Sequence, residues 1–287
     1  MILITGATGN LGKAVIDQLL TKVQPSQIAA YARNKDKAAS LEEKGIDVRI
    51  GNFDDPILLE KAMQGIDKVL LISSNDHGKL FQQHKNVIDA AKKANVSQLV
   101  YTGTAVNQPD ASPMKAMLEA HFQTEEYLKE SLVPYTILRN TMYTETLPFF
   151  LGKTIFETGI DLPGGEGEIP FALRTEMGEA AANVLLQSNH LNKTYVLTGS
   201  ELSTFGDIAD IISQLSGKPV RYINPEVTVF EEKLRGAGTP EAGIAALSGF
   251  VADMRNGQYA MLSDDFELLL GRKPLSLKDS LKEIYSF

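Results

Sequence analysis

Ile2-Leu3-Ile4-Thr5-Gly6-Ala7-Thr8-Gly9-Asn10-Leu11-Gly12 is the stretch whose reading decides the fold. Ile2–Thr5 is an apolar run of the kind found in buried strands. From Asn10 to Leu20, the residues Leu11, Val15, Ile16, Leu19 and Leu20 recur at helical spacing. Between the two, Gly6, Gly9 and Gly12 form a G-x-x-G-x-x-G loop. Each glycine has a mechanical task. Gly6 allows the tight turn out of the strand, Gly9 omits a side chain where a pyrophosphate approaches the backbone, and Gly12 lets the helix pack closely on the sheet. The helix start adds unpaired N–H groups and the positive end of a dipole, both of which attract phosphate. A purely structural glycine turn is the alternative. The strand–turn–helix context favours a dinucleotide site.

Outward from this loop, strand and helix alternate. Strands are predicted at Gln27–Ala32, Val48–Gly51, Val69–Ser73, Gln98–Thr102 and Tyr135–Arg139, and helices at Lys35–Lys44, Asp55–Met63, Leu80–Ala94 and Met114–Glu130. The strands are continuous apolar runs, as expected where helices cover both faces. The expected fold class is therefore α/β, a Rossmann-type doubly wound parallel sheet with right-handed crossovers. After about Asn140 the rhythm changes. Pro148, Gly152, Gly159, Pro163, Gly164, Gly165 and Gly167 mark loops. Beyond them a strand is predicted at Thr194–Leu197, a helix at Phe205–Leu215 and a short strand at Arg221–Ile223. A glycine-punctuated helical region, Val227–Gln258, and a terminal helix–turn–helix over Asp264–Phe287 complete the chain. The expected division is a dinucleotide-binding domain at 1–140 and a smaller α/β substrate-binding lobe at 141–287, interleaved with the first.

The end of the second strand selects the coenzyme. Arg33, in Tyr31-Ala32-Arg33-Asn34, lies about 20 residues past Gly12, where an NAD site places an acidic residue for the ribose hydroxyls. A guanidinium there can take a 2′-phosphate bidentately and stack on adenine, which favours NADP(H) over NAD. A solvated surface arginine is the other reading. Phe53 follows the third strand and packs either near adenine or into the core, with Asn52 or Asp54 available to bond the adenine edge. Ser73-Ser74-Asn75 and Tyr101-Thr102-Gly103-Thr104 fall at the carboxyl edge of the sheet, where ligands collect. The small and hydroxylated residues among them suit a nicotinamide ribose.

These motifs carry a family likeness. The opening GATGNLG, the Tyr31–Asn34 segment, Val69–Ser74, Val100–Gly103 and Tyr135-Thr-Ile-Leu-Arg-Asn-Thr-Met-Tyr143 resemble the NmrA-like branch of atypical short-chain dehydrogenases. The nearest likeness is to its bacterial NADPH quinone reductases and triphenylmethane dye reductases. The resemblance runs over nearly the whole chain, including Leu197-Thr198-Gly199 and Gly271-Arg272-Lys273-Pro274. It implies NADPH along the carboxyl edge of the sheet and hydride delivery to a quinone or related conjugated acceptor. By motif match it implies that Gly6, Thr8, Gly9, Asn10, Leu11 and Arg33 meet the phosphates. It places Tyr101, Thr102, Gly103 and Asn140 near the nicotinamide.

Ordinary short-chain dehydrogenases use a Tyr-x-x-x-Lys pair on the helix after strand five, the lysine lowering the tyrosine pKa. Here His121 stands in the tyrosine place and Glu125 in the lysine place, one turn apart on the same face. Alcohol–ketone and sugar-epimerase chemistry are not expected. Quinone or dye reduction asks less, since the acceptor is electron-poor and the site mainly aligns it. His121 is a candidate proton donor or else a structural helix histidine bonded to Glu125 or to the backbone. Tyr143 is a candidate pocket residue or a structural tyrosine. Phe149, Phe150, Phe156 and Phe171 could form an aromatic wall, or pack singly in the core.

Composition bounds the rest. The 287 residues carry 28 bases against 36 acids and no cysteine. That excludes disulfides and thiolate metal sites, fits a reducing cytoplasm and gives no basic footprint for nucleic acid. His77, His84 and His190 lack metal-ligand spacing, so no metal is expected. The Lys35/Lys37 and Lys92/Lys93 pairs read as solvated helix faces. No signal peptide and no bilayer span are expected. The expected partner is a small-molecule acceptor, and the expected assembly a monomer or homodimer. The competing function is a non-catalytic NADP(H) redox sensor that regulates a protein partner, since this fold serves both.

Overall fold

Hydrophobic strands with no polar alternation must be covered on both faces. In the computed structural model, β1 (Ile2–Thr5) and β2 (Ile28–Ala32) are buried along their whole length. The structure describes residues 1–285 apart from 75, 77 and 153. Asn75, His77 and Phe287, named above, lie outside the described residues. The first half continues through α1 (Asn10–Leu20), α2 (Lys35–Glu43), β3 (Asp47–Ile50), α3 (Pro56–Ala62), β4 (Lys68–Ile72) and α4 (Leu80–Lys93). It then runs through β5 (Gln98–Thr104), α5 (Lys115–Glu130) and β6 (Tyr135–Asn140). Beyond lie α6 (Leu147–Leu151), α7 (Ile155–Thr158), β7 (Ile160–Asp161), α8 (Arg174–Leu186), β8 (Lys193–Leu197) and α9 (Phe205–Ser216). Then come β9 (Tyr222–Ile223), α10 (Val227–Gly236), α11 (Glu241–Arg255), α12 (Asp265–Leu270) and α13 (Leu277–Tyr285).

The main sheet is parallel, in the order β3-β2-β1-β4-β5-β6-β8. This is the doubly wound arrangement expected from the sequence. Strand order reverses between β1 and β4, the place where ligands of such sheets bind at the carboxyl ends. The register brings Ile72 beside Thr102, Gly103 beside Arg139, and Thr104 beside Asn140. β5 therefore runs two residues further than the pattern predicts, because its ladder with β6 continues to Thr104.

The second half divides itself. β8 joins the main sheet, and α8 packs beneath it against α1. A Cβ on Gly178 would lie 2.7 Å from Ala14 Cβ and 2.8 Å from its carbonyl carbon, so glycine is what lets these two helices touch. Phe266, Leu269 and Leu270 of α12 finish the same core. The remaining elements build a separate cluster around Phe205, Ile208, Ile212, Val251 and Met254, reached from the first half by Val106 and Leu118. β7 and β9 form a small parallel sheet there. Among the described residues, no helix is long and apolar enough to cross a membrane, and no His/Cys/Asp/Glu cluster could hold a metal.

Candidate functional site

The β1–α1 loop leaves the carboxyl end of β1, beside the point where strand order reverses. Gly6 adopts φ +60° and its carbonyl accepts from Gly9 N–H at 2.9 Å, closing the turn. A Cβ on Gly12 would fall 2.3 Å from Gly6 O and 2.8 Å from Ala7 Cα, so only glycine lets α1 start this close to the strand. Gly9 caps α1 without any side-chain hydrogen bond, and no acidic residue occupies the first turn. The first N–H groups thus point at a surface where Gly6, Gly9 and Asn10 are exposed and Thr8 is half-buried. Leu11 is different. Its side chain belongs to the core, so it offers this loop only its backbone.

Arg33 emerges directly after β2 and is exposed, with no salt bridge among the described residues. Asn34 holds the start of α2 by accepting from Lys37 N–H at 2.9 Å. Phe53 is half-buried and stacks on Tyr31, with ring centroids 6.1 Å apart and planes 8° from parallel. Burial, reinforced by Asp55, pushes the Tyr31 phenol up to about 12, so its hydroxyl stays protonated and donates to Asn52 O at 2.9 Å. These contacts shape the third-strand loop beside Arg33.

At the end of β4, Ser73 N–H donates to Thr102 Oγ1 at 3.3 Å, and Ser74 Oγ donates to Gln83 Oε1 at 2.7 Å. The Gln83 amide reaches Asp76 at 3.3 Å and both Asp54 oxygens at 3.4 Å. Gln83 links the third- and fourth-strand loops. The sequence reading missed it because a glutamine on α4 carries no local signal of a partner 29 positions away.

β5 presents two kinds of residue. Thr102 is nearly buried, and its hydroxyl joins the neighbouring strand. Tyr101 is fully buried, with its Oη 2.7 Å from His121 Nδ1. Burial pushes the Tyr101 phenol well above its ordinary range. Close by, His84 is also fully buried, its Nδ1 lying 2.9 Å from Thr124 Oγ1. Burial, and secondarily the charge of His121, pushes the His84 imidazole down to about 3. Glu125 does not turn to His121. It is buried and grips Arg139 through two bonds of 2.9 and 2.6 Å. A Cβ on Gly103 would lie 3.2 Å from Glu125 Oε1, so the bare backbone at Gly103 makes room for this pair.

β6 ends at Asn140, whose Nδ2 donates to Tyr143 Oη at 3.1 Å while its Oδ1 is buried without a partner among the described residues. Arg174 lies over the Tyr143 ring at 4.3 Å and is held by Glu145. Burial raises the Tyr143 phenol. Arg174, at the start of α8, was not visible as a site neighbour in the sequence. Of the four phenylalanines, Phe149 and Phe150 meet each other, and Phe150 meets Phe250 at 6.4 Å. Phe171 is core, and Phe156 lies beneath Lys218.

The NmrA-like family profile matches residues 1–259. Quinone oxidoreductase 2 of Escherichia coli is 35% identical over 287 residues, covering 100% of this chain and 99% of that protein. An NAD(P)H azoreductase of Xenophilus azovorans is 26% identical, covering 93% of this chain and 88% of the azoreductase. Among solved structures, the Citrobacter triphenylmethane reductase complexed with NADP(H) superimposes with a TM-score of 0.90 at 35% identity, covering 99% of each chain. The E. coli NADPH-dependent quinone oxidoreductase complexed with NADPH gives a TM-score of 0.89 at 35% identity, covering 99% of this chain and 100% of that one.

Proposed function

The chain belongs to the NmrA-like family, and from that premise we propose that it is an NADPH-dependent oxidoreductase that reduces a quinone or a related conjugated acceptor. The observation that carries the reading is the β1–α1 cradle. It combines an exposed, uncapped helix start, a close approach of helix to strand that any Cβ at Gly12 would break, and an Arg33 without a salt bridge among the described residues at the neighbouring strand end. These residues fit a phosphorylated dinucleotide. Backbone N–H groups of Thr8, Asn10 and Leu11 hold the pyrophosphate, and Arg33 takes the 2′-phosphate. Phe53 borders the adenosine half, and Ser73 and Ser74 lie towards the nicotinamide ribose. Thr102, Gly103 and Asn140 border the nicotinamide half, and Asn140 Oδ1 is an acceptor suited to a carboxamide N–H. Tyr101 and Tyr143 act from behind this line.

Bound there, NADPH supplies a hydride. The protein's part is to align an electron-poor ring against the coenzyme and keep water out. The main sheet holds the coenzyme, and the lobe built from the rest of 141–287 covers the acceptor, with Phe149, Phe150 and Phe250 as its aromatic face.

Calorimetry with NADPH and NADH, followed by a panel of quinones and cationic dyes monitored through the reduced-nicotinamide absorbance, tests this reading. Tighter binding of NADPH and turnover of at least one acceptor are expected. Saturable NADPH binding with no turnover on any acceptor would overturn the enzyme reading and leave the sensor.

A further inference from the structure

The segment that follows β5 is tied to the second half of the chain at both of its ends. Ala105 N–H donates to Asn140 O at 2.9 Å, so the segment leaves from the carboxyl edge beside Thr104 and Asn140. Asn107 then donates through its backbone N–H to Gln258 O at 2.8 Å and through Nδ2 to Gly257 O at 2.9 Å. Gln108 N–H donates to Gln258 Oε1 at 2.9 Å. Further on, Ser112 Oγ donates to Asp253 Oδ2 at 2.6 Å, and Gly249 packs so closely on Met114 that a Cβ would meet its sulfur. Gly249 and Asp253 lie one turn apart on one side of α11. Residues 107–114 therefore run along the later half of that helix and the turn that follows it. The same half of α11 carries Phe250, which meets Phe150.

One of these ties is costly. Asp253 is fully buried, its Oδ1 has no partner among the described residues, and Val251 and Met254 beside it belong to the apolar cluster of the lobe. Burial pushes its carboxyl above the usual carboxylate range, and the Ser112 hydroxyl only partly offsets this. Enclosing a carboxyl with one hydrogen bond costs more than enclosing an apolar side chain of similar size, so Asp253 does not serve stability. It supplies direction instead. An apolar contact such as Met114 on Gly249 tolerates sliding, whereas a short bond to a buried carboxyl fixes one register between segment and helix. Ser112 Oγ also accepts from Met114 N–H at 2.8 Å, so the same hydroxyl shapes the turn into α5.

We infer that residues 105–114 form a strap that sets the width of the acceptor site, with Ser112 and Asp253 as its positioning residues; this rests on the quinone reading above. The strap starts at the edge where Thr102, Gly103 and Asn140 border the nicotinamide, and it ends against the helix that carries Phe250. Its ties hold the Phe150–Phe250 pair at a fixed distance from the coenzyme. Asp253 follows Phe250 by about one helical turn, so a shift at the carboxyl is passed to the ring. The site thus selects flat conjugated acceptors by ring size, because its wall is held from behind and does not close to fit each one. Neither Ser112 nor Asp253 meets the reacting atoms, and no proton passes through them.

Replacing both partners together, Ser112→Ala with Asp253→Leu, removes the bond without leaving a bare carboxyl. Urea unfolding should show no loss of stability, and NADPH affinity should stay within about twofold. With the wall released, quinone KM should rise about 10-fold at little changed kcat, and the ratio of kcat/KM between a two-ring and a one-ring quinone should change by about fivefold or more. Asp253→Asn keeps an acceptor for the Ser112 hydroxyl and should restore the wild-type ratio. Equal losses on both quinones would make the pair merely structural and overturn the inference. If the double variant does not fold, Asn107→Ala, at an exposed position, loosens the other end of the strap and should move the ratio in its place; an unmoved ratio there overturns the inference too. If wild-type protein binds NADPH but reduces no quinone, the quinone reading itself fails. The strap is then decided separately by the fluorine NMR signal of Phe250 in coenzyme-free protein carrying fluorophenylalanine, assigned through Phe250→Leu. That signal should shift in the strap variant, and an unmoved signal would refute the strap.

Discussion

The phosphate cradle and the Tyr101–His121 layer are both built at the carboxyl edge, yet they are assembled in opposite ways. The cradle uses consecutive residues, Gly6 to Gly12, and works through backbone N–H groups. The Tyr101–His121 layer draws Tyr101 from β5, His84 from α4, His121 and Glu125 from α5, and Arg139 from β6, and is built from side chains. A backbone site is encoded by what is missing from a short stretch of sequence. A side-chain site exists only once the sheet register has brought distant elements together.

Gly12→Ala strikes hardest at the local half of this contrast. Its Cβ meets immovable backbone 2.3 Å away, so the loop must shift. We expect a stability loss of about 1–3 kcal/mol by urea unfolding and loss of measurable NADPH binding by calorimetry. An unshifted affinity would mean that the loop does not hold the pyrophosphate.

Glu125→Ala tests the distant half. It leaves Arg139 without its carboxylate in a site whose arginine is 30% exposed, so the loss is about 2–3 kcal/mol, below that of a fully enclosed pair. NADPH affinity should change little, and a large fall would show that the two regions are coupled.

Arg33→Ala sharpens the coenzyme side alone. It should weaken NADPH by about 10- to 100-fold while leaving NADH and stability almost untouched. Equal losses for both coenzymes would contradict the assignment of Arg33.

The last effect is gradual and is read as a pH slope. The folded pKa of His84 is pushed down to about 3 from 6.5, so between these values the unfolded chain binds the extra proton. Its contribution to stability is full above about pH 6.5 and is lost as pH falls toward 3, at up to about 1.4 kcal/mol per pH unit. Urea midpoints of wild type and His84→Gln should converge over that window, and parallel curves would refute the buried neutral histidine.

The sequence exposes the elements that carry a face or a boundary signal. α1 shows its stripe and its glycines, and Pro56 and Gly65 bracket α3. α8 shows neither, because nearly every side is buried and Ala180, Ala181 and Ala182 leave no polar stripe to contrast with an apolar one. The contact of Gly178 with Ala14 joins residues that no local pattern relates. The cradle and Arg33 were legible for the same reason as α1: their chemistry is written in adjacent residues. Tyr101 shows the limit. The likeness places it near the nicotinamide, but no neighbouring residue on the chain signals that β5 continues to Thr104 and encloses the phenol. The Glu125–Arg139 pair likewise depends on register, so the i to i+4 spacing of His121 and Glu125 suggested a partnership that the sheet prevents.

A single-turnover mixing experiment bears most directly on the whole account. Protein saturated with NADPH is mixed with a stoichiometric quinone, and the nicotinamide band and the hydroquinone are followed together. Equal loss of reduced coenzyme and gain of hydroquinone, abolished together by Gly12→Ala, is the predicted result. Full occupancy of the wild-type cradle by NADPH with neither signal moving would contradict it.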